Sequence, residues 1–229
     1  MQYALFVAAF SVITPITQSK TVDPFTEVRS SGSAEIELQV DASQTGPVAL
    51  TISGSQEALE RLEISVEDGV LYVSSKQWLG MGGGLGPTIR ATVSGLDSVN
   101  LNGSGDLRAT RLDTDEMVIR TSGSGDVKMS GRIGDLRVSS AGSGDVEVRG
   151  VDGSEVSIQI AGSGDTTVEG KAGTLEVSVA GSGDVDGAAL RVRDVKASVL
   201  GSGDVTVCAT GAIQRSEMGS GRVRNKCGS

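Results

Sequence analysis

Apolar and polar residues alternate along most of this chain, and from Met117 onward the alternation returns in step with itself about every 20 residues. The phrase GSGD marks the step. It begins at Gly103, Gly123, Gly142, Gly162, Gly181 and Gly201, and a frayed GSGR begins at Gly219. Six positions before each first glycine stand Met117, Leu136, Val156, Leu175 and Val195, and four before stand Ile119, Val138, Ile158, Val177 and Ala197. Four positions after it come Leu107, Val127, Val146, Thr166, Val185 and Val205. The intervening columns are polar or small, as in Arg137, Ser157, Glu176 and Lys196, or Lys128, Glu147, Thr167, Asp186 and Thr206. Alternation of this kind marks strands with one buried face. Each unit therefore reads as strand, GSGD corner, strand, and a looser corner such as SGRIGD or EGKAGT.

One such unit cannot stand alone. Its handful of inward side chains contributes ~1.5–3 kcal/mol each when covered, while ordering every backbone residue costs ~1–2 kcal/mol. Neighbouring units must supply the cover and the ladder hydrogen bonds. That is the logic of a solenoid, and it predicts an all-β fold, a parallel β-helix with coils of roughly 20 residues. An antiparallel sandwich is the competing all-β arrangement, but it gives no reason for columns held in register. Composition agrees with stacked strands: aromatic residues make up only 3% of the chain and there are 33 glycines, so the core is built of Val, Ile, Leu and Ala.

The N-terminal third is less regular. Residues 23–95 read as irregular coils, with strands in SAEIELQV and VALTI, a short helical turn capped by Ser55, and a hairpin turning at Asp68-Gly69. A glycine-rich loop, 76–87, carries Trp78, Leu79 and Met81 and is the candidate binding loop, with a plug over the solenoid end as its alternative role. The GSGD repeats fill 96–229, and the whole of 23–229 is expected to be one domain. Ahead of it, 1–20 reads as a signal peptide because the run from Ala4 to Ile16 is apolar and then stops, a first strand being the alternative. No later segment is apolar for long enough to cross a membrane as a helix.

Charge and chemistry narrow the function. A net charge of -9 argues against a nucleic-acid partner. Histidine is absent, which removes Ser-His and Cys-His nucleophile pairs and imidazole metal sites. Stacking would align Asp106, Asp126, Asp145, Asp165, Asp184 and Asp204 in one column. Such a column either accepts backbone N–H groups at tight corners or, as the functional alternative, binds calcium between coils. A polysaccharide-active enzyme would need two unlike carboxyl groups, and pairs such as Asp145 with Glu147 or Asp165 with Glu169 have no feature that singles them out. Six equivalent copies argue for architecture, and no cofactor is implied. Cys208 and Cys227 lie 19 residues apart, about one coil, so stacking places them on adjacent coils and predicts a disulfide. It would staple a last coil in which Glu217 takes an inward aliphatic position and Arg222 takes the aspartate position.

The stretch FTEVRSSGSAEIEL, the strand pair LEISVEDGVLYVSS, the glycine-rich loop, IRATVSGLDSVNLNGSGD and the serial GSGDV corners together resemble the putative autotransporter adhesin head GIN domain family. The likeness runs from about Pro24 to Cys227. It implies a right-handed β-helix-like solenoid exported to the periplasm or the cell surface, with a binding, adhesion or structural role. It brings no catalytic residues. The partner is unknown, a surface glycan or an envelope protein being the candidates.

Overall fold

The computed structural model describes residues 15–75 and 86–227. In chain order these form β1 (Ile16–Val22), β2 (Glu27–Gly32), β3 (Glu35–Val40), β4 (Val48–Gly54), a helix α1 (Gln56–Arg61), β5 (Leu62–Glu67), β6 (Val70–Ser75), β7 (Thr88–Val93) and β8 (Ser98–Gly103). Five long strands follow: β9 (Leu107–Gly123), β10 (Val127–Gly142), β11 (Val146–Ile160), β12 (Thr166–Gly181) and β13 (Val185–Gly201). The chain closes with β14 (Val205–Ala209), β15 (Ile213–Gly219) and β16 (Val223–Asn225). All belong to one continuous sheet that winds into a β-solenoid.

The repeats stack in parallel and in register. Val138 pairs with Ile119 on one side and Ile158 on the other, and Ile158 pairs in turn with Val177. All four are buried, as are the columns two residues to either side, their small polar members included. One of those, Thr121, donates to Ser140 within the core at 3.0 Å. The looser corner differs from expectation. Each long strand keeps its ladder through it and takes only a register shift, near Met129–Gly131 in β10 and Arg149–Val151 in β11. A rung is thus one bent strand from one GSGD corner to the next, because a bulge absorbs the extra residue without ending the pairing.

At the GSGD corner the backbone turns so tightly that coils nearly touch. A Cβ on Gly144 would lie 2.1 Å from the carbonyl oxygen of Gly125, and one on Gly164 would lie 2.2 Å from that of Gly144. Both glycines are required for this close approach. The carbonyl of each corner's first glycine collects two donors at most steps: the Gly103 oxygen accepts from Ser124 N–H at 2.8 Å and Gly125 N–H at 3.1 Å.

The N-terminal coils do not stack in chain order. One column runs β5, β6, β2, β8, β9, so β2 lies between β6 and β8. Its companion runs β1, β4, β7, β3, β9. The first full coil, β2–β3, is therefore inserted beneath β8–β9, and the chain passes it between Val93 and Ser98. The other readings of this region hold: Ser55 caps α1 by accepting from Ala58 N–H, and Asp68 and Gly69 turn the β5–β6 hairpin with positive φ of 50° and 77°. Residues 1–14 lie outside the described residues, but Ile16–Val22 is a strand paired antiparallel with β4, so folded structure begins ahead of residue 23 and includes 16–20. Lys20 fixes it further, its ammonium donating to the Ile64 carbonyl at 2.6 Å.

Candidate functional site

The aspartate column forms, and its carboxylates are spoken for. Asp106 Oδ1 accepts the backbone N–H of Asp126, Asp126 that of Asp145, and so on through Asp165, Asp184 and Asp204 to the N–H of Arg222, each at 2.7–2.9 Å. The partner is the next coil, not the aspartate's own corner as expected. The reason lies in the corner geometry, where the glycine carbonyl already serves the serine and second glycine N–H groups and leaves the aspartate N–H without a backbone acceptor. A carboxylate from the coil before fills that gap, and the bond offsets the ~1 kcal/mol repulsion between exposed charges at strand spacing. Among the described residues the corner serines make no such bridge, and no three Asp, Glu or Cys side chains gather as a metal site.

The last link is the strongest. Arg224 reaches Asp204 Oδ2 at 2.6 Å, and this bond, followed by the Arg222 N–H, holds Asp204 below the usual carboxylate pKa. Asp194 is shifted the same way by Arg193 and then by the Ala212 N–H. A general acid needs the opposite shift. Glu147 and Glu169, the acids nominated beside Asp145 and Asp165, both pair with Arg149. A hollow of about 420 Å³ at the looser corner gathers Glu155, Glu176 and Asp194, but Glu176 is paired with Lys196 at 2.7 Å and Asp194 with Arg193. Two of its three carboxyl groups are thus ion-paired.

Cys208 and Cys227 are joined, with their Cα atoms 4.7 Å apart. The bond closes the final coil, and charged side chains finish the job. Glu217 accepts from Val223 N–H at 2.7 Å and Arg215 donates to the Val223 carbonyl at 3.4 Å, so the terminal rung spans its own interior with polar groups. Inward charges of this kind end the aliphatic core at this rung.

The loop carrying Trp78, Leu79 and Met81 lies outside the described residues. Its two ends are placed: Gly32 sits against Ser75 and Gly86 against Ser33, so the loop leaves and re-enters the stack where the coil above turns its glycine-serine corner. Tyr72 lies under Arg29, whose guanidinium is 5.7 Å from the ring centre.

One surface carries no chemical motif to mark it. Three residues before each of the last five corners stand Ser139, Gln159, Ser178, Ser198 and Ser216, paired one to the next. One residue before the corner stand Ala141, Ala161, Ala180, Leu200 and Met218. All ten side chains are exposed and none is charged, in a protein whose residues are 21% charged. Leu200 and Met218, 55% and 67% exposed, are two of the three large apolar side chains that the described surface presents openly. The signal was in the spacing, since the outward columns can be read as directly as the inward ones.

Comparison with known proteins agrees with this architecture. A putative adhesin of Parabacteroides distasonis shares the fold with a TM-score of 0.77 at 20% identity, over 93% of this chain and 97% of its own. A putative adhesin of Bacteroides fragilis gives 0.77 at 22% identity, with the same coverage of 93% and 97%. A putative lipid binding protein of P. distasonis gives 0.76 at 22%, over 92% and 96%. No match is found among curated proteins. The family model described as "Putative auto-transporter adhesin, head GIN domain" matches residues 24–150 and 131–229, and the chain belongs to that family.

Proposed function

We propose that this chain is an exported, non-catalytic binding module of the cell envelope, and that it holds an extended, neutral ligand against the uncharged wall of Ser139, Gln159, Ser178, Ser198 and Ser216. The observation that carries the reading is the wall itself. Solenoids make long, flat contact surfaces, and this one repeats a hydroxyl or amide group at about the 4.8 Å strand spacing. A ligand that is itself a chain of repeated hydroxyl-bearing units, a glycan, suits that pattern. Leu200 and Met218 at its end offer apolar contact for a sugar face. Support for a binding rather than a catalytic role comes from the family description and from acids that are ion-paired or bonded to backbone. Support for export comes from the disulfide, since such bonds persist in oxidising compartments.

A glycan array probed with the purified chain tests this. Binding to neutral glycans is expected, and Ser178→Arg with Ser198→Arg should weaken it at least tenfold while Lys128→Ser, on another face, leaves it unchanged. Absence of glycan binding, or equal loss from all variants, would overturn the assignment of the wall. Fractionation of cells expressing the chain checks export separately.

A further inference from the structure

Charge is unevenly spread along the stack. The described residues of the first coils, 15–75 and 86–93, hold ten Asp and Glu against four Lys and Arg, a balance of -6. Residues 185–229, the last coils, hold seven Lys and Arg against four Asp and Glu, a balance of +3 in a chain of net charge -9. The two ends of one rod thus carry opposite signs. Each end also presents strands with one paired side. Among the described residues β5 pairs only with β6 and β15 only with β13. Both belong to the same column of the sheet, which starts at β5 and finishes at β15.

We propose that copies of this chain associate end to end, the basic last coil of one docking on the acidic first coil of the next through the free edges of β15 and β5. Strand direction permits it. β5 is antiparallel to its column, so an in-line second copy would set β5 antiparallel to β15. In the companion column β1 runs parallel to the rungs and would meet β16 in parallel. The free edge of β15 carries the backbone groups of seven residues, Ile213–Gly219, which is the template used in strand addition. At the head a hollow of about 210 Å³ between β1 and β5 is lined by Gln18, Ser19 and Lys20 together with Ile52, Leu59, Leu62 and Ile64, so polar groups front it. At the tail Arg215 and Glu217 replace the aliphatic interior, so no core continues across the junction. The contact is therefore polar, reversible and sensitive to salt. Its two faces differ, so it does not close on itself and produces open series of copies.

Sedimentation velocity of the purified chain tests the proposal, independently of any ligand on the wall. At 50 mM salt the expected result is a concentration-dependent series extending beyond dimers, with apparent affinity at least tenfold weaker at 500 mM. A head variant, Glu60→Lys with Glu67→Lys, and a tail variant, Arg222→Glu with Lys226→Glu, should each be monomeric with an unchanged far-ultraviolet circular dichroism spectrum. Mixed in equal parts they should associate again, because the wild-type tail of one meets the wild-type head of the other and the two reversed ends are complementary in charge. A wild-type chain that is monomeric at both salts would overturn the proposal. So would a series indifferent to salt, a mixture that stays monomeric, or a tail that binds anionic phosphatidylglycerol vesicles in the absence of self-association.

Discussion

At the scale of single residues, small groups decide how coils meet. Thr166 takes a place that Leu107, Val127, Val146, Val185 and Val205 take in other rungs, and its buried hydroxyl has no hydrogen-bond partner. Thr166→Val removes a desolvated polar atom at nearly constant volume. It should raise stability by ~1 kcal/mol or more in chemical denaturation. Asp145 tests the corner bridge. Asp145→Ala deprives the Asp165 N–H of its acceptor and should cost ~1–2 kcal/mol, whereas Asp145→Asn keeps an oxygen there, relieves column repulsion and should be near neutral. Asp204 adds a pH dependence with a definite sign. Its folded pKa lies below the ordinary value of 3.8, so the unfolded chain binds this proton more readily. The stabilisation is complete above about pH 4 and fades as pH falls through the folded pKa. Denaturation of wild type and Asp204→Ala at pH 7 and at successively lower pH should show the difference between them shrinking only below about pH 4.

At the scale of elements, the outcome divides by what period-two patterning can report. Val138, Ile158 and Val177 declare their shared column through spacing alone, and the hairpin at Asp68-Gly69 declares itself through residues that accept positive φ. Those local signals survive into the structure because stacking rewards the same alternation that makes each strand. The insertion of β2–β3 between β6 and β8 was not legible. Val28, Leu71 and Val99 are equally good inward residues, and nothing in their identity ranks the order of parallel neighbours. Nor was the direction of the aspartate carboxylates, which depends on how far one coil is offset from the next. The uncharged wall was legible but overlooked, since Ser139 to Ser216 form a column as regular as the core. The final coil depends on its staple. Closing a 19-residue separation contributes ~3 kcal/mol in the chain-entropy account. Reduction should thus raise hydrogen exchange at Val223 and Lys226 by about a hundredfold or more while leaving β10 to β12 protected. Uniform loosening of all rungs would show that the last coil is not an independent unit.

At the scale of the whole molecule, the recurring phrase is a corner, and the rod it builds carries its character in long columns. Stability is shared between neighbours, so damage should spread from the ends or from a broken corner. Gly164→Ala, which would drive a methyl group to 2.2 Å from the Gly144 carbonyl oxygen, should split the stack at its middle or prevent folding. The claim beneath all of this is that equivalent residues from successive turns lie directly over one another. Nitroxide labels on single cysteines introduced along one outward column measure that, since both native cysteines are held in the disulfide. Ser139 and Ser216 are four rungs apart, and Asn100 and Ser216 are six. Pulsed electron paramagnetic resonance should return mean separations near 19 Å and 29 Å, a constant step of about 4.8 Å per rung. Separations that fail to grow with rung number, or that coincide for the two pairs, would contradict the stacked solenoid.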